Sequence, residues 1–214
     1  MAETKTNTDS SDSSHPILYH TLSKAQIVRV EVCNIANLWY TDPIMGKTIL
    51  LTGRPRVGKT TIIKGVVRTL PGQAGGFYTE EMRERGRRQG FKIVTLDGQE
   101  GVLAHVGIKS RRRVSKYGVK LTDLEGIGVA AIQEALAQKD YVVIDEIGKM
   151  ELFSQAFKDA VWEAIHSDKS VLGTITLSSH PWADSVKALP QVTIIEVTKA
   201  NRNRIAQQVL DSLD

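Results

Sequence analysis

The chain has one cysteine, Cys33, in 214 residues. A single thiol excludes an internal disulfide and a cysteine zinc knuckle, and a reducing, cytoplasmic setting is the default. No run of about 18 apolar residues occurs, which excludes a helical membrane span. The first fourteen residues, MAETKTNTDSSDSS, lack both arginine and an apolar stretch. They read neither as a secretory signal nor as a mitochondrial presequence. The five histidines show no metal-ligand spacing, and no internal repeat is present. Charge is nearly balanced: 28 Lys+Arg face 24 Asp+Glu, a formal net of +4. That excess permits an anionic ligand and does not demand a nucleic acid. What remains, 41% hydrophobic and 24% charged residues, is an ordinary globular composition.

Residues 1–14 are too poor in hydrophobics to offset the entropy of ordering, so they read as disordered. IVRVEV (27–32) alternates like a strand, and Trp39 and Tyr40 follow. Residues 1–45 together read as an N-terminal extension, and residues 46–214 as one compact domain. KTILLT (47–52) is a short buried strand. TTIIKGVVRTL (60–70) puts Ile62, Ile63, Val66, Val67 and Leu70 on one helical face, and Pro71-Gly72 stops it. GGFYTEE (75–81) and FKIVTL (91–96) flank an Arg-rich turn as a hairpin, which VLAHV (102–106) extends. Residues 107–120 form a basic loop. Thr122 and Glu125 have capping-box spacing for a helix to about 138. YVVID (141–145), VLGTIT (171–176) and VTIIEV (192–197) are further buried strands. Helices are expected over 151–166, 183–189 and 201–213. Apolar strands alternating with helices predict an α/β fold, a mostly parallel sheet covered by helices on both faces, with an inserted β-hairpin.

Gly53-Arg54-Pro55-Arg56-Val57-Gly58-Lys59-Thr60 satisfies G-x(4)-G-K-[ST] between a strand and a helix, the context in which this pattern makes a phosphate loop. Backbone N–H groups at the helix start cradle an anion. Lys59 adds a point charge at the β/γ-phosphates, and the Thr60 hydroxyl can ligate Mg²⁺. The alternative is a chance Gly/Lys turn. Arg56 stands where many such loops carry glycine; either its φ is ordinary or the loop is strained. The side chain is expected to point out of the cradle.

Asp145 and Glu146 end an apolar strand, where ligands bind in such sheets. Asp145 can hold Mg²⁺ and Glu146 can orient or deprotonate the attacking water. The alternative is an acidic strand end capping the next helix.

These stretches resemble the cancer-related nucleoside-triphosphatase family of small P-loop NTPases. The likeness rests on LTGRPRVGKTT (51–61), GFYTEEMRERGRRQGFKIVTL (76–96), VIDEIGKMELFSQAF (143–157), LGTI (172–175) and VTKANRN (197–203). It implies Mg²⁺-dependent hydrolysis of nucleoside triphosphates (ATP, GTP, CTP and UTP) to diphosphate and phosphate, on a RecA-like or kinase-like sheet. It also implies nucleotide contacts along Thr52–Lys59 with Thr60 and Thr61, and along Tyr141, Val142, Val143, Ile144, Asp145, Glu146, Ile147 and Gly148. The chain departs from the family at Arg56 and in its N-terminal stretch.

Other candidates are open at the sequence level. Arg83, Arg85, Arg87, Arg88, Arg111, Arg112, Arg113 and Lys116 either supply charge at the γ-phosphate, with Arg87 or Arg88 preferred, or lie on solvated turns. Asn201 and Arg202 either contact base or ribose or cap the last helix. Glu80 and Glu81 either support the metal through water or, the preferred reading, form a surface pair, and Lys149 and Glu151 read as a helix start. Trp162 and Trp182 read as packing. The rival functions are a nucleotide or polynucleotide kinase, which uses the same loop and metal, and a nucleic-acid-binding module. The second is weakened by the lack of aromatics in 107–120 apart from Tyr117.

Overall fold

A computed structural model describes residues 46–213. The extension expected over 1–45, with its strand at 27–32, lies outside the described residues.

Leu50 and its neighbours show how the sheet acquires two buried faces. In the strand β1 (Thr48–Thr52) every residue is buried. Successive side chains point to opposite faces. Ile49 and Leu51 belong to one core cluster and Leu50 to the other. Val143 is likewise separated from Val142 and Ile144. One core lies under the helix Lys59–Val67 and the C-terminal helix Arg202–Leu213, and includes Ile63, Val66 and Val209. The other lies under the helices Ala130–Gln138 and Gln155–Ile165, and includes Ile132, Phe157 and Val161. Within it the Phe77 and Phe157 rings meet edge-on at 6.3 Å.

The remaining strands are β2 (Ala74–Glu84), β3 (Arg87–Thr95), β4 (Glu100–His105), β5 (Arg113–Val114), β6 (Tyr117–Val119), β7 (Tyr141–Ile147), β8 (Ser170–Ile175) and β9 (Val192–Glu196). Among the described residues they form one sheet in the order β5-β6-β4-β3-β2-β7-β8-β1-β9. The β2–β7, β7–β8, β8–β1 and β1–β9 pairings are parallel. From β2 outward through β3, β4, β6 and β5 the pairing is antiparallel. The expected hairpin is therefore part of an antiparallel wing that widens the parallel sheet on one side. The basic loop contributes two of its short strands. The Arg-rich turn shrinks to Arg85-Gly86, both at positive φ (46° and 75°), because Glu84 pairs directly with Arg87. A two-residue hairpin loop with both residues at positive φ matches the twist of its strands.

Two helical expectations need correction. The Thr122/Glu125 capping box does not form. Lys120 is the N-cap of the helical segment beginning at Leu121, with no side-chain cap bond. Glu125 instead accepts from Ser154 Oγ at 2.7 Å. Asp123 takes the Val102 N–H at 2.9 Å, tying the helix start to β4. A wide turn over Leu124–Val129, with a π-helical pattern, leads into Ala130–Gln138. The helix expected over 151–166 is broken. A 3₁₀ turn spans Glu151–Phe153, and the α-helix starts at Gln155. Ser154 is the reason: it is extended (φ −89°, ψ 126°), and its hydroxyl accepts from Phe157 N at 3.1 Å. That is N-capping.

Candidate active site

β1 delivers the chain to the phosphate loop at the carboxyl edge of the parallel sheet. Gly53 has φ 140°, and a Cβ there would lie 2.4 Å from Val197 O, so only glycine lets the loop leave beside β9. Gly58 (φ 111°) caps the helix Lys59–Val67 with no side-chain bond to its first amides. The cradle's donors are thus backbone groups free for an anion. Lys59 Nζ donates to Gly53 O at 3.0 Å, crossing the loop's mouth.

Arg56 has φ 64°. Of the two alternatives, the strained loop is the one observed. Its side chain is 69% exposed, and Nε lies 3.8 Å from Glu81 Oε1. Arg56 is turned toward Glu81 on β2.

β8 separates β1 from β7. The β7–β8 register slips between Ile144 and Ile147, so Asp145 and Glu146 occupy an irregularity. This breaks the alternation. Asp145 is 1% exposed, and Oδ2 has no hydrogen-bond partner among the described residues. Glu146 follows at φ 104°, a strained conformation for a residue with a side chain, and such strain gathers at functional sites. Glu146 opens into a cavity of about 1070 Å³ that is also lined by Gly58, Lys59, Thr60, Asp145 and Arg88.

Burial pushes the Asp145 carboxyl up to about 6; the Thr60 hydroxyl opposes this and the Glu146 charge reinforces it. Crowding by protein also raises Glu146, against the pull of Lys59 and then Arg88. Glu146 is nonetheless reached by solvent through the cavity, which tempers its desolvation. Glu151, expected only to start a helix, does so and is also 2% exposed. Its Oε2 accepts the Gly148 N–H at 3.1 Å. A Cβ on Gly148 would sit 2.9 Å from both Glu146 Cγ and Glu151 Oε2, so Gly148 brings the two acids together. Burial, then the Glu146 charge, drives the Glu151 carboxyl well above its ordinary range. The sequence signal for Glu151 is an acid three residues past Gly148 and five past Glu146; its burial is not legible there.

The structure brings Gly53, Pro55, Arg56, Gly58, Lys59, Thr60, Thr61, Asp145, Glu146 and Gly148 to one cavity. Arg54, Pro55, Arg56 and Val57 also line a second hollow of about 500 Å³ with Glu196–Lys199. Other expected contacts are not brought there. Thr52 ends β1 and is buried. Val142, Val143, Ile144 and Ile147 are fully buried in the sheet cores, and Tyr141 begins β7 about four residues, roughly 13 Å, from Asp145. Asn201 holds the β9 exit loop: Oδ1 accepts from Thr198 N at 2.7 Å, and Nδ2 donates to Glu196 O at 2.8 Å. Arg202 begins the last helix, and neither residue lines either of these two cavities. Glu80 pairs with Lys64 (2.8 Å) and Lys92 (3.4 Å). Trp182 packs on the core, whereas Trp162 is 41% exposed and stacks on His166.

A phosphate loop thus faces a buried acid and a strained glutamate across one cavity. Residues 48–210 match the NTPase family. The chain belongs to that family. The nucleoside-triphosphatase THEP1 of Thermotoga sp. (strain RQ2) is 52% identical over 165 residues, covering 77% of this chain and 94% of that protein. The crystal structure of THEP1 from Aquifex aeolicus superposes with a TM-score of 0.72 at 35% identity, over 78% of this chain and 99% of that one. The solution structure of a human cancer-related nucleoside triphosphatase gives 0.68 at 36% identity, over 79% and 98%. In this NTPase no helix among the described residues is long and apolar enough to cross a membrane.

The donor set suits a hard divalent cation. Mg²⁺ prefers oxygen ligands and keeps waters and phosphate oxygens around one or two protein groups. The partnerless Asp145 Oδ2 and the nearby Thr60 hydroxyl supply that number. No cluster of three or more His, Cys, Asp or Glu ligands occurs among the described residues, so an all-protein cage is not what this site offers.

Proposed function

We propose that the protein hydrolyses nucleoside 5′-triphosphates to diphosphate and phosphate with Mg²⁺ and broad base tolerance. The observation that carries this reading is the convergence of Lys59 and the Thr60 hydroxyl with Asp145 and the strained Glu146 on one cavity. Backbone amides from Gly58 onward hold the polyphosphate, and Lys59 leaves Gly53 O to meet the β/γ-oxygens. Thr60 and Asp145 would hold Mg²⁺, which when bound supplies positive charge at the phosphate oxygens. Glu146 takes a proton from water as the water oxygen bonds to the γ-phosphorus. The bond from that phosphorus to the β–γ bridging oxygen breaks, and its electron pair leaves on the diphosphate.

Broad base tolerance is supported by the second hollow, which is lined by Arg54–Val57 and Glu196–Lys199 and offers no aromatic platform. A cytoplasmic setting fits the lone cysteine and the substrate. Nucleic acid is not expected as a partner. Phosphate release from ATP, GTP, CTP and UTP with Mg²⁺ alone tests the reading. Turnover that appears only when a hydroxyl acceptor is added would establish the kinase alternative instead. That alternative is favoured by one observation: the cavity continues past the acids to Phe91 and Tyr117, leaving room for a second molecule.

A further inference from the structure

Four arginines lie in and beside the β2–β3 turn, and they are not equivalent. Arg83 bonds Glu81 and Gly86 O and is exposed. Arg85 and Arg87 are exposed, with no side-chain hydrogen bond among the described residues. Arg88, the second residue of β3, is held on several sides. Its Nη1 donates to Glu81 Oε1 at 2.7 Å and its Nε to Tyr117 Oη at 3.1 Å. The guanidinium carbon lies 5.0 Å from the Phe91 ring centre and 5.7 Å from that of Tyr117, within cation–π range. Those two rings brace each other edge-on at 5.4 Å.

This anchoring leaves part of the guanidinium unused. Arginine carries five N–H donors, and Nη2 of Arg88 has no partner among the described residues. Glu81 does not cancel the charge either. Its single carboxylate is shared with Arg83, Arg88 and, at 3.8 Å, Arg56. Of the three, Arg56 and Arg88 line the cavity that Lys59 and Glu146 also line, and Arg83 lies outside it, so the one acid does not neutralise the two guanidinium groups on that wall. Arg88 is close enough for its charge to be felt at Glu146. Preorganised charge of this kind is what a loose phosphoryl-transfer transition state rewards, since a group already in place needs no reorganisation when charge moves.

We infer that Arg88 is the arginine of this chain that contacts the γ-phosphate in the transition state, with Tyr117 and Glu81 positioning its guanidinium. The assignment rests on the hydrolytic reading above and adds to it a catalytic residue supplied in cis by the antiparallel wing. The reaction balance is unchanged. Arg88 neither gains nor loses a proton; it faces the γ-oxygens as the bridging bond lengthens. Arg88→Ala tests it, with Arg83→Ala as the control that loses the same Glu81 contact without lining the cavity.

Steady-state phosphate release gives kcat and KM. Titration with ADP, and with ADP plus aluminium fluoride, separates ground-state from transition-state binding. Arg88→Ala is expected to lower kcat about a hundredfold or more. Affinity for the ADP–aluminium fluoride complex should fall in parallel while ADP affinity changes less than about threefold. Arg83→Ala should keep kcat within about threefold. If Arg88→Ala does not fold, Arg88→Lys decides: it keeps the charge but not the fork, and a loss of at least tenfold in kcat is expected. Retention of kcat within threefold by the folded variant overturns the assignment. So does an equal loss of ADP and ADP–aluminium fluoride binding. Absence of phosphate release by the unmutated protein overturns the hydrolytic reading itself, and the assignment with it.

Discussion

Glu151 Oε2 accepts the Gly148 backbone N–H at 3.1 Å from a position only 2% exposed. That bond pins the turn leaving β7 and so fixes where Glu146 stands. Burial, then the neighbouring Glu146 charge, favours the protonated form of Glu151. Its folded value lies above its unfolded one, so the folded state binds more protons across that interval and stability falls as pH rises through it. Glu151→Gln keeps the acceptor oxygen without the charge. It should change unfolding free energy by less than about 1 kcal/mol and leave most of kcat. Glu151→Ala orphans a buried N–H and should cost about 1–3 kcal/mol, with a clear loss of kcat. Denaturant unfolding and phosphate release check both; equal damage from Gln and Ala would show that the carboxylate charge itself is needed.

Asp145 makes a second prediction with the same sign. Its carboxyl rises from 3.8 to about 6, so in chelator the protein should lose stability as pH climbs through that window. The full effect is on the order of 3 kcal/mol at 1.36 kcal/mol per pKa unit. Asp145→Asn should flatten this dependence, raise the melting temperature near pH 7 in EDTA, and abolish turnover. Unfolding curves across pH in EDTA would show it. A destabilised Asn variant would mean that the buried charge is compensated by a partner other than a cation.

At Arg56 the backbone is left-handed, φ 64°. For a residue with a Cβ this costs about 1–2 kcal/mol, partly offset in a glycine variant by the greater entropy of its unfolded chain. Arg56→Gly should therefore stabilise the fold by about 1 kcal/mol. With its side chain 69% exposed, nucleotide affinity should change less than about threefold. A large gain in affinity would mean that the arginine obstructs the cradle.

Asn201 is a loop staple in the structure, with bonds to Thr198 N and Glu196 O. Asn201→Ala should cost about 1–2 kcal/mol and leave KM within about twofold. A rise in KM at unchanged melting temperature would instead place Asn201 on the nucleotide.

Much of the parallel half was legible because apolar runs such as 47–52 and 141–145 must be buried on both faces, and the loop between strand and helix carries a spacing that only a few geometries satisfy. Asp145 and Glu146 were legible as a pair of acids at a strand tip. What escaped the sequence depends on partners far along the chain. Thr122 and Glu125 have capping spacing, yet Glu125 bonds Ser154, a tertiary contact that no local pattern encodes. Ser154 breaks the helix over 151–166 by capping a new one. Arg88 and Tyr117 meet only because β6 and β3 flank β4, so one Arg-rich turn could not be sorted into a held arginine and solvated ones. Of the residues expected at the nucleotide through the family resemblance, Val142–Ile144 are strand core and the half-buried Tyr141 begins the strand; the chain reaches the cavity only where the β7–β8 register slips.

The most direct measurement is phosphate release by the unmutated protein, Lys59→Ala and Glu146→Ala with ATP, GTP, CTP and UTP, in Mg²⁺ and in EDTA. The account predicts turnover of all four nucleotides in Mg²⁺ and none in EDTA. It also predicts losses of about a hundredfold or more in both variants, with nucleotide binding weakened in Lys59→Ala and retained in Glu146→Ala. Full turnover by Glu146→Ala, or release unaffected by EDTA, would contradict it.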